Sequence, residues 1–185
     1  HLDAILHIGI VEEGEFIVGD DITARVSQNR QKIKANHSAT HLLHSALRRI
    51  LGEHVQQKGS LVDDKKLRFD FSHNKPVSEK QLKEIELLVN EQIRRNIPAE
   101  IVQCSIDHAK NLGALALFGE KYGDQVRVLR FDDFSTELCG GTHVDRTGDI
   151  GFFTIVSEGA CASGIRRIEA LTGDLAVSYV SNSKD

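Results

Sequence analysis

Methionine is absent from the 185 residues, and proline occurs only twice. A chain that begins at His1 without a methionine carries no initiator as written, so we expect an excised piece of a longer protein. Long apolar runs are missing as well. The longest uncharged stretches, such as Leu112 to Gly119, fall far short of the roughly 20 residues that a membrane span needs. No cationic start leads into an apolar segment, so neither a membrane protein nor a secreted one is expected. Cysteine is scarce: Cys104, Cys139 and Cys161 are odd in number and lack the spacing of a disulfide framework. Reduced thiols in the cytoplasm follow. An excess of positive charge is lacking too. The net charge of −4 argues against a domain that grips nucleic acid tightly by itself, and DNA is not an expected partner.

What remains is 40% apolar and 27% charged sequence without repeats or low-complexity runs, enough for a globular domain with a real core. Its basic residues are locally paired, as Arg48-Arg49, Lys65-Lys66 with Arg68, Arg94-Arg95 and Arg166-Arg167. Such pairs read first as solvated surface.

The chemistry concentrates in Cys139-Gly140-Gly141-Thr142-His143, a thiolate and an imidazole separated by two glycines and a threonine. The glycines let backbone N–H groups approach a ligand closely. His37 and His41 lie one helical turn apart and can grip the same ion. Together they form a Cys and three His set, the tetrahedral kind that Zn²⁺ takes. Ser38 follows His37 where a zinc-peptidase helix needs glutamate as general base, so that protease class is not expected.

Apolar spacing predicts a helix over about Gln31–Leu51, closed by Gly52. On it Ala39, Leu42, Leu43, Ala46, Leu47 and Ile50 form the core face. His37, His41, His44 and Arg48 form a stripe on the other side, an imidazole row beside a guanidinium that suits an anionic ligand. Strands are predicted over Ala4–Val11 and Ile22–Val26, His54–Val62, Lys65–Ser72, Ile101–Ile106, Gln125–Phe131, Gly151–Cys161 and Gly164–Leu171. Ser78 is the predicted N-cap of a second long helix over about Glu79–Arg95, ended by Pro98. A helical turn over Asp107–Asn111 and a terminal helix from Asp174 complete the pattern. The fold class expected is α+β, mainly antiparallel strands packed with helices. Residues 1–28 are expected to be the edge of an upstream β-rich module, and residues 29–185 the zinc-containing domain.

The ordered set Asn36-His37-Ser38-Ala39-Thr40-His41-Leu42-Leu43, Val55-Gln56-Gln57-Lys58-Gly59-Ser60, Arg68-Phe69-Asp70-Phe71, Glu137-Leu138-Cys139-Gly140-Gly141-Thr142-His143 and Gly164-Ile165-Arg166-Arg167-Ile168-Glu169-Ala170 closely resembles the editing domain of alanyl-tRNA synthetases. The resemblance runs from about Arg30 to Gly173. Freestanding editing hydrolases share its zinc motifs, and the threonyl-tRNA synthetase editing domain is a more distant cousin of the same fold.

That resemblance implies hydrolysis of the ester joining serine or glycine to the 3′ end of alanine tRNA. It implies one Zn²⁺ held by His37, His41, Cys139 and His143. Catalysis would fall to Cys139, Gln57 and Thr40, with substrate or tRNA contacts from Asp70, Gly140, Gly141, Arg48 and Arg166. The expected partners are the mischarged acceptor end and the rest of the synthetase chain, which would hold the ATP-dependent ligation. Whether zinc activates water or only positions substrate is open at this point, as is whether Cys139 is a fixed ligand. A structural zinc module that binds tRNA without hydrolysis, a freestanding hydrolase of mischarged tRNA, and a zinc hydrolase of unrelated substrates are the competing readings.

Overall fold

The computed structural model describes residues 6–115 and 123–183. Its longest helix, α1 (Asn29–Leu51), starts two residues before the predicted boundary. The sequence divides α1 into an apolar face and a histidine stripe, but the structure also buries His41 and His44 of the stripe, leaving His37 and Arg48 half-buried. Ala39, Leu42, Leu43, Ala46 and Leu47 enter the main core, while His41 and His44 are covered from the other side by a second sheet. At its C-terminus Gly52 takes φ +119°, a conformation that strains residues bearing a Cβ, and its N–H reaches the Arg48 carbonyl.

Four antiparallel strands form the first sheet, in the order β1 (Gln57–Val62), β2 (Leu67–Ser72), β7 (Ile165–Thr172), β6 (Phe153–Ala162). Alternation sends Leu67, Phe69 and Phe71 to one face, where Phe69 stands opposite Ile168 and Leu67 opposite Ala170. Against that face pack α1 and α2 (Glu79–Arg94). Ser78 caps α2 as predicted, in a reciprocal box with Gln81.

The second sheet has the order β3 (Glu100–Ser105), β4 (Gln125–Phe131), β5 (Ser135–Leu138), again antiparallel. With α3 (Ile106–Asn111) it forms a satellite core of Ala109, Val126, Val128 and Leu138. The polar run after Phe134 gives no hint of β5. Ser135–Leu138 nevertheless pairs with β4, because Leu129 and Arg130 need partners opposite Glu137 and Thr136. A 3-10 turn (Thr147–Ile150) links the site loop to β6, and α4 (Gly173–Asn182) closes the described chain.

One expectation fails here. Residues 6–26 form no strand, and Ile8, Ile10 and Val18 stand fully exposed; Ala4 and Ile5 of the first predicted strand lie outside the described residues. Two short strands without a third partner or an apolar face to cover them do not hold together.

Candidate metal centre

Helix α1 supplies His37 and His41 from consecutive turns, and the loop after β5 brings Cys139 and His143 over them. One donor atom from each of the four lies within 4.8 Å of the others. Cys139 Sγ is 3.6 Å from His37 Nε2 and 3.2 Å from His143 Nε2. A tetrahedron with zinc-like bond lengths has edges of about 3.4–3.6 Å, so the two edges at Cys139 are close to that size, and the remaining donors, all within 4.8 Å, need only a small inward shift to close on an ion.

Each histidine is also oriented from outside. Nδ1 of His37 lies 3.3 Å from the Thr142 carbonyl, Nδ1 of His143 lies 3.2 Å from Ser38 Oγ, and Nδ1 of His41 lies 2.8 Å from Glu137 Oε2. The last contact is close but bent, more an ion pair than a directed hydrogen bond, since Nδ1 counts among the buried atoms without a well-aligned partner. In every case the outer nitrogen is engaged and Nε2 is left for the interior of the cluster, the arrangement that metal-binding imidazoles require. Nε2 of His41 is buried with no well-aligned hydrogen-bond partner and only the Cys139 sulfur to interact with, which suits a metal ligand.

The loop is made to measure for this packing. A Cβ on Gly141 would come within 2.8 Å of His37 Nδ1 and closer still to its Cε1, so only glycine fits. Arg127 on β4 donates from Nη1 to the carbonyls of both Cys139 and Gly141, at 2.7 Å each, and its own carbonyl accepts from Cys139 N–H. One side chain thus fixes both ends of the Cys-Gly-Gly turn. Ser38 does a similar service, accepting from Val144 N–H beside its contact to His143.

The electrostatics are correspondingly skewed. Burial would raise the Cys139 thiol, but hydrogen bonds from His143, His37 and His41 overcome it and lower its pKa to about 3. Burial, together with the charges of His41 and His37, takes His143 down to about 4. Burial would also lower His41; the Glu137 carboxylate and Cys139 reverse this and raise it to about 10. Glu137 is shifted the opposite way: burial opposes its ionisation, and His41 with His44 hold it well below the usual carboxylate range. The thiolate is therefore ready to ligate, and a cleft of about 450 Å³ opens beside it, lined by Thr40, Gln57, Ser60, Arg127 and Gly140.

With this geometry in view, similarity to known proteins becomes informative. Residues 126–169 match the family described as the threonyl and alanyl tRNA synthetase second additional domain. The chain is 58% identical over 184 residues to an alanine–tRNA ligase of Francisella tularensis subsp. novicida, covering 99% of this chain. It is 57% identical over 182 residues to that of Coxiella burnetii, covering 98%. The family match takes in Cys139 and His143, and the two ligase matches, over nearly the whole chain, take in His37 and His41 as well. The chain matches a fragment of alanyl-tRNA synthetases. It spans about a fifth of the length of these relatives, 21% in each case.

Within this domain the structure sorts the expected site residues. His37, His41, Cys139 and His143 converge, and Thr40, Gln57 and Gly140 share their cleft. Gly141 packs on His37. Three others lie elsewhere. Arg48 donates to the carbonyls of Glu53 and Val55, tying down the turn after α1. Asp70 receives a bidentate pair from Arg167 on the outer face of the first sheet, and Arg166 makes the same kind of pair with Glu158. The imidazole row does meet an anion, but that anion is the protein's own Glu137, reached by Nδ1 of both His41 and His44. Glu137, Ser38, Ser60 and Arg127 were not singled out from sequence. Ser38, Ser60 and Glu137 do stand in the motifs that carry the resemblance, and Ser38 also occupies the place of the peptidase glutamate; Arg127 leaves no trace.

Proposed function

We propose that this chain is the editing domain of an alanyl-tRNA synthetase and hydrolyses the ester of serine or glycine wrongly attached to alanine tRNA. The observation that carries this reading is the shared cleft: a four-donor Cys and His cluster opens directly onto Thr40, Gln57 and Ser60, polar groups suited to a small aminoacyl ester. Zinc is the ion that the donor set suits, and when bound it would supply Lewis acidity beside the scissile ester.

Thr40 gives its hydroxyl hydrogen to the Asn36 carbonyl at 2.8 Å, which leaves its oxygen as an acceptor. A serine hydroxyl can donate to it, whereas alanine would leave it unpaired, and an unpaired buried acceptor costs about 1–3 kcal/mol; the contact sorts serine from alanine and does not act on glycine, which also lacks a hydroxyl. That supplies the discrimination a first, alanine-accepting pocket lacks, because an added hydroxyl is rejected only weakly there. Gln57, on the cleft wall, would hold the attacking water or the ester. Gly140, on the cleft wall, offers a backbone N–H to the developing oxyanion, while the N–H of Gly141 is occupied by Cys139 Sγ at 3.4 Å. The partners on this reading are the mischarged acceptor end of alanine tRNA and the remaining parts of the synthetase, and a reducing cytoplasm keeps Cys139 free to ligate.

A second reading rests on the same cluster. Four protein donors leave no guaranteed open position, so the metal could be structural and the domain a tRNA-binding module without hydrolysis. Release of serine from serine-charged alanine tRNA separates the two. Hydrolysis that is lost on chelation, is restored by zinc and spares alanine-charged tRNA is the expected result. A folded, zinc-loaded chain that binds the RNA and releases nothing would leave the structural reading standing.

A further inference from the structure

The stripe of α1 that bears the metal ligands continues toward its N-terminus as Lys34 and Arg30, at helical steps of three and seven residues from His37. At about 100° per residue Arg30 falls about 20° from both His37 and His41 on the helix circumference, and Lys34 about 20° from His41 and about 60° from His37. Both line a groove with Val26, Ser27, Gln28 and Thr142, and the Thr142 carbonyl is the one facing His37 Nδ1. The groove and the metal cleft share no lining residue; they lie on either side of the contact between His37, which lines the cleft, and Thr142, which lines the groove.

These cations are badly placed for the helix itself. They stand in its first two turns, at the positive end of the helix dipole, with no acidic residue in the first turn and no side-chain cap from Gln28. Neither makes an ion pair or side-chain hydrogen bond with any described residue, in a chain whose net charge is −4. A local rule broken this way beside a functional cleft calls for a ligand that compensates it.

We propose that Arg30 and Lys34 form a cationic rail that seats the phosphates of a single-stranded RNA 3′ tail whose terminal residue enters the metal cleft. This rests on the editing reading above and extends it by naming where the polyanion runs. With a rise of 1.5 Å per residue, Lys34 and Arg30 lie roughly 4.5 and 10.5 Å along the axis from His37, which matches a chain leaving the cleft over its last few nucleotides. Lys32 provides an internal control. It belongs to the same turns but faces a different cavity, among Asp64, Asp149 and Asp174.

The test is the salt dependence of binding by the zinc-loaded chain to an uncharged alanine tRNA minihelix, with and without its single-stranded tail. Arg30→Gln with Lys34→Gln should flatten the plot of log affinity against log salt by about 1.4, or 0.7 per phosphate contact on a single strand. The flattening should vanish with the minihelix that lacks the tail, and Lys32→Gln should leave the slope unchanged. The melting temperature of the Arg30→Gln, Lys34→Gln variant should equal or exceed that of the parent, since it removes two cations from the helix N-terminus. An unchanged slope, an equal effect from Lys32→Gln, or an equal effect without the tail would each overturn the proposal. Because the probe carries no amino acid, these outcomes are independent of hydrolysis. Failure of serine release would sink the editing reading, and failure of the slope to change would sink the rail.

Discussion

Glu137 sits between two imidazoles, with Oε2 2.8 Å from His41 Nδ1 and Oε1 3.1 Å from His44 Nδ1, and it is only 3% exposed. Its charge orients His41 and keeps Nε2 turned inward, so its effect should be read in the metal. Glu137→Gln keeps the volume and removes the charge. Zinc affinity should fall about 10–100-fold, as outer-shell losses typically do, when measured by competition with a chromophoric chelator. Undiminished affinity would show that His41 needs no carboxylate. The same carboxylate sets the proton count of metal binding. Near neutral pH Cys139 is already ionised, His143 is neutral, and His41, at about 10, carries a proton that a metal must displace. Calorimetry in buffers of different ionisation enthalpy should therefore report release of about one proton per zinc. Two or more would mean that the thiol is protonated before the metal arrives.

Elements, more than single residues, decide how much of this was readable in advance. Helices α1 and α2 and strands β2, β4, β6 and β7 are legible because their apolar residues repeat at 3.6 or 2 and their ends are marked, as by Ser78 and Gly52. The four metal donors are legible because His37 with His41 and Cys139 with His143 each fall at ligand spacing. Strand β5 is not: Ser135–Leu138 is short and polar, and pairing with β4 alone makes it a strand. Arg127 is equally silent, since nothing local marks an arginine whose role is to hold two carbonyls in a loop that follows later in the chain. The fastening of α2 to β6 is of the same long-range kind. Asn90 donates to the carbonyls of Glu86 and Phe153 and accepts from Phe153 N–H, a reciprocal clamp buried between helix and sheet. Asn90→Leu would leave both polar groups of Phe153 unpaired. Urea unfolding should show a loss of about 2–6 kcal/mol, at one to three per orphaned group, while zinc affinity stays within about twofold. A stability change below about 1 kcal/mol would mean that water replaces the clamp.

The metal cluster also gives the whole molecule a stability profile across pH that can be derived group by group. Consider the metal-free chain between the ordinary values of histidine, 6.5, and cysteine, 9.0. Unfolded, Cys139 holds a proton and His41 does not; folded, the proton has moved to His41, so folding takes up none and stability is flat. Below 6.5 the unfolded chain protonates both His41 and His143 and keeps the Cys139 proton, while the folded chain still holds only the one on His41. The unfolded state then binds two more protons, and stability falls with acid by at most about 2–3 kcal/mol per pH unit, until His143 titrates near 4. Glu137, whose ionised form the fold favours, deepens the loss once its unfolded value of 4.5 is passed. Above 9.0 the unfolded chain has lost its last proton of this set while folded His41 retains its own up to about 10, so stability declines again on the alkaline side. Urea unfolding in the presence of a chelator should therefore trace a plateau with two shoulders, and the Glu137→Gln variant should lose the alkaline one because His41 no longer has the carboxylate that holds its proton. An alkaline shoulder that persists in that variant would place the proton on another group and refute the ion pair at the centre of the fold.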